Sequence, residues 1–303
     1  MIILNEKEYA EKCIRSATFS KNPYKDLCLI ANYYYHNCGY RNKKILSLLT
    51  EFMQENSYDY LVNPKMWDEI LDKIASKAGK YPMHEIDGVW ITARELDTIR
   101  GIQNAPLEKL AFTLLCLAKL NNLRSPHNDN WVNCEYTEIF KLARVTCPSQ
   151  ERYLKTGALR KLGLIDGTKK IGSLSLKVLF VDTETTEYSR QNGDLFIYDF
   201  RELGYEYMLY KGHDNFIRCA DCGILTKSNK NKTKRYCKSC AAYTPQVTKK
   251  INCVDCGKSI LISSHATKKC RCDICQAKKE KEDTRKRVQK FRQKQNITSA
   301  NLE

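Results

Sequence analysis

The chain has 303 residues, 42% of them hydrophobic and 28% charged, enough material for more than one buried core, which excludes a wholly disordered chain and a stapled miniature. Its 51 Lys plus Arg against 35 Asp plus Glu leave a formal charge of +16, which points to polyanionic partners and says little about fold. The excess is local: residues 211–303 hold 23 basic and 8 acidic side chains, so a roughly neutral body carries a basic C-terminal third.

The start of the chain turns charged at Glu6, Lys7 and Glu8 without the apolar stretch of a signal peptide, and the apolar run Leu110–Ala118 is too short to span a membrane. A soluble cytoplasmic protein with no membrane partner is expected. In a reducing compartment its 15 cysteines read as metal ligands rather than disulfides.

Residues 1–106 read as a helical domain. Asn22 followed by Pro23 opens an apolar run that Gly39 can end. Ile45, Leu48, Leu49 and Phe52 share one helical face, as do Trp67, Ile70, Leu71 and Ile74 after Pro64. Thr92 and Glu95 fit a capping box for a further helix.

Residues 107–182 follow another pattern. Leu107–Asn121 is a strongly apolar helix, Trp131–Tyr136 a short strand, Thr137–Val145 a second helix, and Gln150–Leu162 a third that Gly163 can end in a left-handed conformation. A hairpin follows, turning at Asp166 and Gly167 through Lys169 and Lys170 into the alternating strand Leu174, Leu176, Val178, Phe180. This order, with the run Leu159 to Ile165, resembles the winged-helix family. The resemblance implies that the third helix lies in a major groove and the hairpin tip touches the backbone. Gln150, Arg152, Lys155 and Thr156 then become candidate base or phosphate contacts, and Lys169 and Lys170 candidate wing contacts. Winged helices also serve as protein-docking modules.

Residues 183–210 read as an acidic connector, in which Asp199, Glu202 and Glu206 share one face of a short helix. Zinc-ribbon patterns follow over 211–245 and 246–276. Cys219 and Cys222 with Cys237 and Cys240 form one set of paired knuckles; Cys253 and Cys256 with Cys272 and Cys275 form the next. A two-residue spacer lets one tight turn supply two thiolates of a tetrahedral zinc, and Gly223 and Gly257 suit the positive φ such turns need. Two structural zinc ions are expected, with no open coordination position. Cys270 and His265 also lie in range of the second site and are left out of it.

Between the first knuckles Lys230, Lys232, Lys234 and Arg235 form a strip suited to a phosphate backbone, though a solvated loop looks the same. The basic tail, 277–303, includes Arg285 and Arg287 as candidate phosphate contacts and is expected to be frayed until nucleic acid orders it as a helix. Phe180 to Thr186 resembles the first motif of DnaQ-like exonucleases, whose strand ends in metal-holding carboxylates, here Asp182 and Glu184. Too few residues follow before the cysteines to hold the rest of that domain, so no enzyme is expected and this pair is read as a decoy.

The fold class expected is mainly α with small β elements: a helical N-terminal domain, a winged helix, two zinc ribbons and a basic helical tail. That domain order resembles nucleic-acid-binding proteins of phages and mobile elements in bacteria with AT-rich genomes. The function it implies is zinc-dependent binding of double-stranded DNA, as a regulator or replication accessory. The alternative is an inhibitor or adaptor that docks on a protein of a nucleic-acid-processing complex; a metal-dependent exonuclease is a minor alternative.

Overall fold

A computed structural model describes residues 2–20, 22–167, 175–182, 195–243, 248–263 and 270–300. The chain is mainly helical with small sheets and divides into two compact units, residues 1–237 and 238–303. Among the described residues no helix is long and apolar enough to cross a membrane.

The first unit begins with α1 (Glu6–Ser16), α2 (Pro23–His36), α3 (Asn42–Asn56), α4 (Tyr58–Val62) and α5 (Pro64–Lys77). Their apolar stripes meet in one core built on Leu27, Ile30, Ile45, Leu49, Met53, Leu71 and Ile74. The Asn22 side chain accepts from the Lys25 amide while Pro23 occupies the first turn, so the start of α2 follows from local chemistry.

A second core surrounds α7 (Ala105–Arg124). Before it come β1 (Val89–Ile91) and α6 (Ala93–Arg100); after it come β2 (Trp131–Asn133), α8 (Tyr136–Leu142), α9 (Ser149–Lys161), β3 (Ile165–Gly167), β4 (Ser175–Val178), β5 (Leu195–Ile197) and α10 (Leu203–Tyr210). Residues from Leu110 to Leu120 are buried on nearly every side of α7, because α6, α8, α9, α10 and three strands pack around it. An all-round apolar helix is what such a position requires. The capping box at Thr92 and Glu95 forms, and buried Glu95 is further held by Lys119 Nζ at 2.7 Å and by the Asp182 amide at 2.8 Å.

β2, β4 and β3 form an antiparallel sheet in that order, with Trp131 opposite Lys177 and Ile165 opposite Val178. Asp166 and Gly167 therefore lie inside β3, opposite Lys177 and Leu176, rather than at the expected turn; pairing extends the ladder past a dipeptide whose local preference is to bend. Lys169 and Lys170 lie outside the described residues.

The expected connector is different where it is described. β5 pairs antiparallel with β1, placing Val89 opposite Ile197, and Phe200, Leu203 and Tyr207 are buried against the α7 core. The Tyr207 hydroxyl donates to Glu108 at 2.8 Å. β1 and α6 thus belong to this second core through Val89, Ile91, Leu96 and Ile99, although they precede residue 106.

The unit closes with the hairpin of β6 (Phe216–Arg218) and β7 (Leu225–Lys227). The second unit contains α11 (Lys238–Tyr243), the hairpin of β8 (Thr248–Asn252) and β9 (Ser259–Ser263), and α12 (Asp273–Ala300). Among those of its residues whose burial is described, only Cys253 and Cys272 are buried.

Candidate metal centres and basic surfaces

The sulfurs of Cys219, Cys222, Cys237 and Cys240 all lie within 4.8 Å of one another, and those of Cys253, Cys256, Cys272 and Cys275 do the same. Both groups could hold a metal ion. The two leading knuckles are built alike: the Gly223 amide donates to Cys219 O and the Gly257 amide to Cys253 O, each at 2.9 Å. Each strand then returns, Cys219 N donating to Ile224 O and Cys253 N to Lys258 O, again at 2.9 Å. Gly223 at φ +71° and Gly257 at φ +69° occupy the left-handed region that side chains resist.

The electrostatics of both clusters suit a divalent cation. The backbone N–H of Cys222 aims at the Cys219 sulfur and lowers that thiol to about 6; the backbone N–H of Cys272 does the same for Cys253, also to about 6. Cys275, hydrogen-bonded to the sulfurs of Cys272 and Cys256, keeps its proton, its pKa pushed up to about 12. In the second group one thiolate thus forms readily while Cys275 resists, since like charges this close ionise together only with a cation among them. Cys270 is not in the second group; its sulfur accepts from Arg271 Nη1 at 3.5 Å. His265 lies outside the described residues.

The first knuckle is fastened to the body by Arg201, a residue the sequence reading passed over. Its guanidinium donates to Asp199 Oδ1 and Oδ2 at 2.9 and 2.8 Å and to Cys222 O at 2.9 Å. The Arg201 pairing and amide hold the Asp199 carboxyl below its ordinary value despite the opposing effect of burial. Glu206 accepts from Arg218 at 2.9 Å, yet desolvation raises its pKa, in keeping with a buried Oε1 that has no partner among the described residues. Glu202 pairs with Arg144. Each carboxylate of the expected acidic face therefore has its own arginine inside the fold, an arrangement that builds the core edge rather than a cation site.

Comparison with known protein families, curated proteins and solved structures finds no match. The site is therefore read from its own residues.

On α9 the candidate contacts are not brought together on one open face. Thr156 is buried and donates to Arg152 O at 2.9 Å, a place that withdraws it from any ligand. Arg152 lies over the Phe140 ring at 6.0 Å, and Lys155 pairs with Glu151 at 3.0 Å. Gln150 is exposed. Opposite buried Thr156 and Leu159 the helix instead presents Gln150, Leu154, Gly157 and Lys161, spaced by four, three and four, with exposed Tyr153 beside them. Helical projection of α9 carried that signal.

In the basic strip, Lys232 pairs with Asp214 at 2.6 Å and Lys234 is drawn onto β7, donating to Lys227 O at 2.8 Å. Lys230 and Arg235 remain exposed.

α12 begins at the last knuckle: the Gln276 amide donates to Cys272 O at 2.9 Å, so Cys272 and Cys275 open its first turn. Its charges are sorted by side. Glu282 and Asp283 pair with Lys279 at 3.9 and 3.6 Å, and Glu282 with Lys286 at 2.7 Å. Arg287 lies on that side and donates to the Thr284 hydroxyl at 3.4 Å. Lys278, Lys281 and Arg285, spaced by three and four, share the opposite side, are exposed, and have no partner among the described residues. Of the two tail arginines picked out from sequence, Arg285 is on the open side and Arg287 is not. Residues 273–300 are helical where a frayed segment was expected, and the Glu282–Lys286 pairing supports that helix.

At Asp182 the carboxylate accepts from the Thr92 hydroxyl at 3.2 Å, beside the capping box. Glu184 lies outside the described residues.

Proposed function

We propose that this chain is a zinc-dependent DNA-binding protein, a regulator or replication accessory of phages or mobile elements, with one structural zinc in each four-cysteine group. The observation that carries the reading is the make-up of residues 238–303: almost no apolar burial among the described residues, four converging sulfurs, and a helix that starts at those sulfurs and exposes uncompensated cations. Where the described residues bury so little apolar surface, metal binding supplies folding energy. The second zinc ribbon thereby anchors a cationic helix whose open side follows phosphates without reading sequence.

The order α7, β2, α8, α9, β3, β4, with the sheet order β2-β4-β3, supports a winged helix in which α9 enters a major groove. The exposed cations Lys230 and Arg235 add phosphate contacts. We assign no catalytic step; Asp182 serves the turn at Thr92. A second reading, an adaptor docking on a nucleic-acid-processing complex in the cytoplasm, is favoured by the exposed apolar side chains Tyr58, Leu61, Val62 and Met66 along α4 and α5.

The test is metal analysis of the purified protein with fluorescence anisotropy against mixed-sequence duplex DNA across a salt series, before and after chelation. Two zinc ions per chain and a steep salt dependence lost on chelation are expected. Absent or salt-insensitive binding refutes the DNA reading, and tight salt-insensitive binding to one protein establishes the adaptor.

A further inference from the structure

The outward side of α9 does not resemble a hydrogen-bonding readout surface. Tyr153 is 63% exposed and Leu154 is 73% exposed in the middle of the helix, and no atom lies within 4 Å of a Cβ built on Gly157. Gln150 stays exposed at the helix start, whereas the other polar candidates are engaged elsewhere, Arg152 over Phe140, Lys155 with Glu151, and Thr156 inside. What faces out is a narrow apolar ridge beside a flat spot, on a helix with four cations against one carboxylate.

We propose that this ridge reads the 5-methyl groups of thymine, so that the protein prefers A·T-rich duplex DNA, with Tyr153 and Leu154 as the specificity-determining residues. This rests on the reading of α9 as the groove helix. The thymine methyl is the apolar group on the major-groove floor, and aliphatic or aromatic side chains are its complement. Gly157 lets the helix approach the groove wall closely, while exposed Lys161 meets phosphate at the rim. The apolar area favours this occupant over a protein: two side chains cover a few hundred Å² at most, far below the roughly 800 Å² per partner of a stable protein interface. The cationic surround fits a groove bordered by phosphates.

The experiment compares the full-length, zinc-loaded protein on one A·T-rich duplex and on the same duplex with uracil replacing thymine, which removes the methyls and keeps every hydrogen-bonding group and phosphate. Anisotropy at fixed salt is expected to show tighter binding to the thymine duplex by about fourfold for each methyl covered. Leu154→Ala is expected to reduce that ratio about fourfold while leaving the salt slope unchanged. Gly157→Ala, which meets no atom of the protein and favours the helix, is expected to weaken thymine-duplex binding without loss of folding. Equal binding of the two duplexes with the salt dependence intact overturns this inference and leaves the phosphate-binding function standing. Binding to neither duplex overturns both.

Discussion

The sorted charges of α12 make the sharpest prediction. Among the described residues Lys278, Lys281 and Arg285 have no partner and share one side, whereas Lys279 and Lys286 are neutralised by Glu282 and Asp283, with Arg287 on their side. Replacing either trio by glutamine removes three positive charges, so a long-range charge effect predicts equal losses. If the open side lies on the backbone, K278Q/K281Q/R285Q removes three phosphate contacts. The log–log salt slope should then flatten by about 2.7, so that a fourfold rise in salt costs the wild type roughly 40-fold more affinity than the variant. K279Q/K286Q/R287Q faces away from the DNA, beyond most of a Debye length of about 8 Å, and should change the slope by less than about one contact. Anisotropy titrations from 50 to 200 mM salt measure both, and circular dichroism checks that α12 persists in each. Equal flattening in the two variants refutes the assignment of the open side.

Three further outcomes follow from the metal clusters and their turns. Chelation should unfold residues 238–303, which have almost no apolar burial among their described residues, while both cores of the first unit survive; limited proteolysis should leave a stable N-terminal fragment, and an intact chain after zinc loss would contradict this. Gly257→Ala places a Cβ where nothing lies within 4 Å, so its whole cost is the left-handed backbone, about 1–2 kcal/mol, which should appear as zinc affinity weakened about five- to thirtyfold in a competition titration; an unchanged affinity would contradict the turn. Cys219 and Cys253 have folded-state pKa values lowered to about 6, so their ionisation contributes stability that is fully present above the ordinary thiol range and lost as pH falls through about 6. Zinc release followed with a chromogenic chelator should accordingly increase as pH falls, because protons compete with the metal for the thiolates, and release independent of pH would show that thiolates do not hold the metal.

Much of this protein is legible where the chemistry is local. Asn22 with Pro23 and Thr92 with Glu95 mark helix starts because a cap satisfies backbone groups within four residues of itself. The cysteine groups are legible for the same reason: a two-residue spacer places two sulfurs on one turn, and the glycine after it supplies the positive φ. Tertiary structure alone decided what depends on distant partners. β1 pairs with β5 across a hundred residues, so neither three-residue strand announces its place, and the acidic stretch that reads as a connector becomes core wall once Arg144, Arg201 and Arg218 reach its carboxylates. Composition likewise credits α9 and α12 with their basic residues but cannot say which are turned inward, paired or open. Thr156 and Arg287 carry the right chemistry on the wrong side, because a helix turns each residue about 100° from the last and only the packed neighbours fix which side faces out.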